Sequence, residues 1–150
     1  MKKWALAVFF GFILSLAVQT SGGASLLYEF AGTGSEGLRP WDSLIMNGST
    51  LYGMTENGGN HYCGIIFKIE SNGTGFSVLH SFAGKPTGGS YPKGSLILSG
   101  STLYGMTQQG GANDLGVIFK IETDGSAFSL LLLDPQRLHS LRHGLWGRGQ

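Results

Sequence analysis

The chain has very little cysteine: of its 150 residues, only Cys63 is one. A single cysteine excludes an intramolecular disulfide, so side-chain packing and backbone hydrogen bonds have to hold the fold together. The equivalent position in the second half of the chain is Leu115. We therefore predict that Cys63 fills an apolar or half-exposed position and is not part of a catalytic pair.

Charged residues are also scarce. They make up 13% of the chain, and the 10 Lys and Arg residues nearly balance the 9 Asp and Glu residues, which leaves a formal net charge of +1. This sparse and scattered charge lacks the basic patch that nucleic-acid binding requires. The glycine-rich segments lack the Lys and following Ser or Thr of a phosphate-binding loop. We therefore predict that the protein binds neither nucleic acid nor a nucleotide cofactor.

A long hydrophobic run is missing as well. The N-terminal apolar run, residues 4–18, has about 15 residues, whereas a membrane-spanning helix needs about 20. The run follows Lys2 and Lys3 and leads into small polar residues that end at Ala24, which is the layout of a secretory signal. We predict that residues 1–24 are a signal peptide and that the mature protein is secreted or on the cell surface. A retained membrane anchor is the alternative.

What the chain does contain is an internal repeat. The segment STLYGMT around Leu51 recurs around Leu103, and the offset of 52 residues holds without a gap over most of the chain. When residues 24–79 are paired with residues 76–131, 30 of the 56 positions are identical. Identity at one fixed offset indicates a duplicated unit. We predict a β-repeat module over residues 25–131, with two units of about 52 residues.

Each copy contains four short apolar runs separated by turn residues, which predicts four β-strands per unit. In the first copy the runs are SLIM, TLYGMT, GIIFKIE and FSVLHSF. Asn47 and Gly48 separate the first two runs, and Asn72 and Gly73 separate the last two, because Gly and Asn tolerate the positive φ of tight hairpin turns. The leading run SLLYEFAG matches SVLHSFAG, so one strand precedes the two units.

The third run alternates, which assigns its side chains to two faces of a sheet. Ile65, Phe67 and Ile69 point one way, and Ile66, Lys68 and Glu70 point the other. Lys68 and Glu70 recur in the second copy, and we predict that their stems have a packing role. Four antiparallel strands in about 50 residues are typical of a propeller blade. The predicted fold is all-β: two four-stranded antiparallel propeller-like blades plus one leading strand, an incomplete and open propeller.

Both copies carry LYGMT, a glycine pair, GIIFKIE or GVIFKIE, and NG or DG before a last strand, in that order. In these motifs the chain resembles the GloVer tandem-repeat family, named for Gloeobacter and Verrucomicrobia, over about residues 25–131. The resemblance implies an exported, surface-associated, propeller-like array, and it implies no catalytic residues. A looser similarity to kelch-type repeats rests on the glycine pair and the period, but Trp41, at the kelch aromatic position, becomes Lys93 in the second copy.

Two units cannot close a ring by themselves, because closed propellers have about 4 to 8 blades. We predict either a homo-oligomer that completes a propeller ring, for example as a trimer, or a truncated remnant of a longer propeller array. The repeat pattern stops after Leu131. Residues 132–150 are predicted to be a non-repeat tail, either disordered or a short basic helix.

Aromatic and small polar side chains in loops of a rigid β scaffold favour binding of a ligand or partner. The candidate ligand-binding residues are Trp41, Tyr62, Tyr91, Glu56 and Asp114. The predicted function is an exported module for binding or cell-surface interaction, with a carbohydrate or a surface protein as the partner and no cofactor.

The acidic members of this set raise an alternative function. Glu56 and Asp114 are loop carboxylates, the residue type that exported glycosidases use as acid and base. The alternative is therefore a carbohydrate-active hydrolase or lyase. The sequence supplies no geometry for a carboxylate pair, and we predict no catalytic residues. His61 and Cys63 flank Tyr62, but no second cluster completes a metal site, so we predict no metal.

Overall fold

The structure, a computed structural model, describes residues 25–32, 35–85 and 88–131, and every regular element in them is a β-strand. The all-β prediction is confirmed. The predicted signal peptide, residues 1–24, and the predicted tail, residues 132–150, lie outside the described residues. Within the described ranges there is no helix with the length and hydropathy of a membrane span.

The chain folds into two separate antiparallel sheets, one for each copy of the repeat. The strands of the first sheet are β1 (Gly37–Pro40), β2 (Ile45–Asn47), β3 (Thr50–Gly58), β4 (Ile65–Glu70) and β5 (Ser77–Ser81). Those of the second are β6 (Gly89–Ser99), β7 (Thr102–Gly110), β8 (Ile118–Glu122) and β9 (Ser129–Leu130). The order is β1-β3-β4-β5, with β2 also paired to β3, in the first sheet, and β6-β7-β8-β9 in the second. The two sheets form an open, propeller-like arrangement, as predicted.

Strand pairing begins earlier in each unit than predicted, and the first sheet has five strands where four were predicted. The run SLIM was expected to be one strand, but it contributes only to β2, and β1 precedes it. In the second copy the same stretch is one strand, β6, whose pairing with β7 shifts register between Lys93 and Ile97. Asp42 and its counterpart Gly94 have φ angles of 73° and 85°. An irregularity at this point therefore belongs to both copies, and it divides the strand in two only in the first.

The predicted hairpin turns are confirmed. Gly48, between β2 and β3, has a φ of 60°, and Gly73, between β4 and β5, has a φ of 86°. In the second turn the Asn72 side chain accepts a hydrogen bond from the Thr74 backbone N–H at 3.0 Å. This local bond closes the turn without help from the rest of the fold.

The two faces of the first sheet have different neighbours, as the alternation in β4 predicts. Ile65, Phe67 and Ile69 form a buried cluster with Tyr28 and Phe30 of the leading segment, which we define as residues 25–32. Ile66 points the other way and lies in the core between the two sheets. That core consists of Tyr52, Met54, Ile66 and Phe82 from the first copy and Leu96, Leu103, Phe119 and Ile121 from the second.

The prediction of a leading strand is wrong, because the leading segment lies in no strand. Its aromatic rings nevertheless repeat the packing of the last strand of the first sheet. Tyr28 stacks on Phe76 with ring centroids 4.2 Å apart, and His80, 52 residues later, stacks on Phe128 at 3.6 Å. β5 pairs with β4, the strand before it in its own unit. Among the described residues no strand precedes the leading segment, so it packs on the first sheet without pairing.

Candidate functional site

Four of the five candidate residues lie in segments that join the two sheets: Trp41 and Glu56 both contact Lys93, and Tyr62 and Tyr91 lie in or next to a backbone hydrogen bond between the sheets. Trp41 follows β1, Glu56 is near the end of β3, and Tyr62 lies in the loop of residues 59–64 that leads to β4. Tyr91 lies in β6, and its backbone N–H donates a hydrogen bond to the Cys63 carbonyl oxygen at 2.9 Å. This bond ties the loop of the first sheet to the first strand of the second. We call the exposed area around these residues the junction surface.

Lys93 connects two of the candidates. Its Nζ lies 5.3 Å from the centroid of the Trp41 ring and 3.3 Å from Glu56 Oε1. The cation is thus shared between an aromatic face and a carboxylate, and Trp41 itself remains exposed. Beside this group, Asp42 Oδ2 accepts a hydrogen bond of 2.6 Å from the Gly94 backbone N–H. These contacts between the copies fix the relative position of Trp41 and Glu56.

A separate depression of about 260 Å³ is lined by Leu38, Arg39, Asn57 and Tyr62. β1 pairs with β3 so that Leu38 lies opposite Asn57, which brings Arg39 beside the end of β3. Asn57 Oδ1 is buried, and no described residue donates a hydrogen bond to it. A buried acceptor without a donor is costly unless water or a ligand satisfies it. Tyr62 is exposed at the rim.

Asp114 stands apart from the other candidates. It occupies the position in the second sheet that Tyr62 occupies in the first, and both residues have a positive φ, of 58° and 56°. Its Oδ2 lies 2.6 Å from Lys85 Nζ, and its Oδ1 accepts a hydrogen bond from the Gly110 N–H at 3.0 Å. The hydrogen bond from Lys85 lowers the pKa of the Asp114 carboxyl, despite an opposing desolvation effect. Asp114 is therefore ionised at neutral pH and poorly suited to donate a proton.

The residues of the junction surface differ in side-chain type from the residues 52 positions away in the other copy. Arg39 corresponds to Tyr91, Trp41 to Lys93, Glu56 to Gln108, and Tyr62 to Asp114. The backbone is shared, because Arg39 and Tyr91 have φ angles of 55° and 56°. Arg39, Asn57 and Lys93 were not among the residues predicted from the sequence. The signal for them was available, since each differs from its counterpart while the neighbouring motifs are identical.

Two other features of the sequence have structural explanations. Tyr52, which recurs as Tyr104, is buried in the core between the sheets and is not available to a ligand. Cys63 is half-buried against that core, and its Sγ donates a hydrogen bond to the His61 carbonyl oxygen at 3.2 Å. In the part of the chain that the structure describes, no three His, Cys, Asp or Glu side chains come together as a metal site requires.

Comparison with known proteins identifies the repeat. A family model described as the Gloeobacter/Verrucomicrobia repeat matches residues 9–140, which is most of the chain. The match includes the whole described part of the chain and extends beyond residues 25–131 at both ends. No curated protein and no solved structure matches the chain.

Proposed function

The chain belongs to the Gloeobacter/Verrucomicrobia repeat family, and from that premise we propose that it is an exported binding module that recognises carbohydrate at the junction surface. The module works by binding alone. Its ligand occupies the depression at Asn57, with the exposed ring of Tyr62 among the residues that line it.

The observation that carries this proposal is a depression lined by Arg39 and Asn57 with an exposed tyrosine, Tyr62, among its lining residues. The Arg39 guanidinium and the Asn57 side-chain amide are groups that can form hydrogen bonds with sugar hydroxyls and ring oxygens. The exposed rings of Trp41 and Tyr62 offer large, rigid, apolar faces against which a sugar ring can pack. The open surface suits a chain-like ligand.

Export is supported by the N-terminal sequence. Lys2 and Lys3, the apolar run and the small residues before Ser25 have the layout of a secretory signal. In a bacterial host that exports the protein, mass spectrometry of the secreted product is expected to show an N-terminus at Ser25. Retention of the full-length chain in the cell would contradict export.

Calorimetry against a panel of soluble polysaccharides tests the binding proposal. We expect saturable binding without product release, and a loss of about five- to thirtyfold in affinity for Tyr62→Ala and for Asn57→Leu, because each removes a contact worth roughly 1–2 kcal/mol. Asp114→Asn is the matched control, since it changes the equivalent loop of the second sheet, and its affinity should equal that of the wild type.

Three results would count against the proposal. Unchanged affinity in the Tyr62 and Asn57 variants would remove the ligand from the junction surface. Binding to surface proteins, with none of the polysaccharides bound, would exclude carbohydrate as the ligand. Release of shortened sugars by the wild type that disappears in Glu56→Gln would instead support the hydrolase or lyase alternative.

A further inference from the structure

The second sheet exposes the same apolar side chains that the first sheet buries. Met54 is 5% exposed and Ile66 is 0% exposed, because the second sheet covers them. Their counterparts Met106 and Ile118, on the far side of the second sheet, are 56% and 50% exposed. Ile97 and Tyr104 extend the patch, and we call these four residues the outer face. Isolated exposed apolar residues are ordinary, but a contiguous set of this kind marks an interaction site.

The other end of the molecule has the complementary shape. A groove of about 370 Å³ lies on the first sheet, between the leading segment and residues 41–44, with Gly53, Phe67 and Ile69 among its lining residues. Leu44 at its edge is 50% exposed, whereas its counterpart Leu96 is 4% exposed. The difference arises because Leu96 packs in the core between the sheets with Tyr52 and Met54. The groove on the first sheet thus corresponds to the face of the second sheet that the first sheet covers.

The contact between the two sheets is therefore a template for a second contact of the same kind. In the template, Tyr52, Met54 and Ile66 pack against Phe82, Leu96 and Phe119. The residues 52 positions later, Tyr104, Met106 and Ile118, form the outer face. The residues 52 positions before the opposing set are Phe30, Leu44 and Phe67, and all three line the groove.

The leading segment is already placed for this contact. Phe30 meets Phe67 edge-on at 5.4 Å, as Phe82 meets Phe119 at 5.2 Å. In the template, Phe82 follows β5, the last strand of the first sheet, and packs on Phe119 of the second sheet. Phe30 of the leading segment packs on Phe67 of the first sheet in the same way, although no described strand precedes it.

From this complementarity we propose that a second copy of this chain docks head to tail, with the outer face of one copy in the groove of the next. The two surfaces differ, so the contact is heterologous, and repetition of it builds a ring or an open filament according to the rotation between copies. The proposal goes beyond carbohydrate binding and does not depend on it, and because the groove includes Trp41 and the contact brings Leu115 next to Arg39, docking and carbohydrate compete for these two residues.

The new contact lacks the ion pair that the template has. In the template, Lys93 pairs with Glu56, and the equivalent residues in the new contact are Trp41 and Gln108, which form no ion pair. The template also has a hydrogen bond from the Gly94 N–H to the Asp42 side chain. In the new contact the donor would be the Asp42 N–H, but the residue at the acceptor position is Gly94, which has no side chain to accept it. The contact therefore rests on apolar burial. We expect the association to be as strong in 0.5 M as in about 0.05 M NaCl, because screening acts on charge pairs and not on apolar contacts.

A backbone hydrogen bond in the template supplies a sharp test. Tyr91 N–H donates to the Cys63 carbonyl oxygen at 2.9 Å, and the equivalent pair across copies is Arg39 and Leu115. Both side chains are exposed. Two proteins are made in a Cys63→Ala background, one with Arg39→Cys and one with Leu115→Cys, and each is oxidised alone and as a mixture. Residues joined in this way lie within the Cα separation that a disulfide spans.

We expect the mixture to form a disulfide-linked heterodimer in large excess over the homodimers that each variant forms alone. Homodimers of the Leu115→Cys variant that equal the heterodimer would indicate a contact between two outer faces and would overturn the proposal. Absence of any cross-link would also overturn the proposal. This result is expected if residues 132–150 of the same chain, and not a second copy, cover the outer face.

Light scattering over a concentration series gives an independent reading. The full chain is expected to associate reversibly, and Met106→Arg is expected to shift the midpoint concentration upward at least about tenfold by placing a charge in the apolar contact. Ser71→Arg, in an exposed turn, is the control with the same change of charge. Met106 is exposed in the single copy, so circular dichroism should show both variants folded. Equal association of the two variants would contradict the proposal.

Discussion

Glu70 and Glu122 show how a charged residue that recurs in a repeat can have a local structural role. Glu70 accepts hydrogen bonds from Ser49 Oγ at 2.9 Å and Thr50 Oγ1 at 3.0 Å. Glu122 makes the same two bonds, both at 2.9 Å, with Ser101 and Thr102. A packing role for the aliphatic stem, predicted from the sequence, stays a prediction. The carboxylate itself joins the start of one strand to the end of the next.

We expect Glu122→Ala to lower the free energy of unfolding by about 1–2 kcal/mol, because it removes two hydrogen bonds to a charged acceptor at a partly exposed site. Urea denaturation measures the change. Gln109→Ala, at an exposed position of β7, is the control and should change stability by less than about 0.5 kcal/mol. A loss no larger than that of the control would show that these bonds exchange freely with water.

His80 occupies a position where the repeat otherwise has Tyr28. Its ring packs like an aromatic residue: it stacks on Phe128 at 3.6 Å and meets Phe82 edge-on at 5.0 Å. Burial lowers the pKa of His80 from 6.5 to about 4. The folded state therefore holds the neutral imidazole, and the unfolded chain binds a proton more readily.

This difference predicts a loss of stability in mild acid. The contribution of neutral His80 is fully present above pH 6.5 and is lost as the pH falls towards 4, because the unfolded state takes up the proton first. His80→Tyr keeps an aromatic ring, as at Tyr28, without the titration. Melting temperatures at pH 7 and pH 4.5 should therefore fall less in His80→Tyr than in the wild type. An equal fall in both proteins would contradict the prediction.

At the scale of the strand, the LYGMT motif has a glycine for reasons of space. Gly105 pairs with Phe119 across β7 and β8, and a Cβ built on Gly105 would lie 2.4 Å from the Phe119 ring. Gly53 has the same relation to Phe67, at 2.6 Å. The ring lies over the glycine of the neighbouring strand, so the motif and the aromatic residue depend on each other.

Gly105→Ala should therefore destabilise the protein by about 1–3 kcal/mol through overpacking. Phe119→Leu removes the tip of the ring, so the alanine should cost much less in that background. A double-mutant cycle by urea denaturation measures this coupling. Additive effects of the two substitutions would show that the ring and the added methyl group do not meet.

The first strand of each unit shows what a local pattern leaves open. The apolar run SLIM predicted one strand, whereas Gly37–Pro40 also pairs with β3 although its sequence, GLRP, has little strand character. β1 forms because β3 continues to Gly58 and presents an open edge there. A partner strand thus decides the pairing, and the sequence of β1 by itself does not.

At the scale of the whole molecule, the chain contains two versions of one aromatic contact that differ in their surroundings. Phe82 is fully buried between the sheets, and Phe30 contacts the first sheet from a segment that lies in no strand. We expect Phe82→Ala to cost about 3–5 kcal/mol and Phe30→Ala distinctly less, because a cavity is costly where both sides are rigid. Thermal unfolding of the two variants measures the difference. Equal losses would show that the leading segment is held as firmly as β5.

Most of the fold could be predicted from the sequence: the repeat, every strand of the two sheets except β1, the hairpin turns and the two faces of β4. Each depends on local chemistry: a fixed offset, apolar alternation, and residues that accept a positive φ. The aromatic candidates Trp41, Tyr62 and Tyr91 were also visible, because they stand in or next to loops on a β scaffold.

Only the tertiary structure decided which of these residues meet. It placed Lys93 between Trp41 and Glu56, left Asn57 Oδ1 without a donor among the described residues, and separated Asp114 from the rest. It also decided that Met54 is covered while the identical Met106 is exposed. The physical reason is that the burial of a strand residue depends on whether another sheet packs against it. Two strands with the same sequence do not differ in any residue that would indicate which of them is covered.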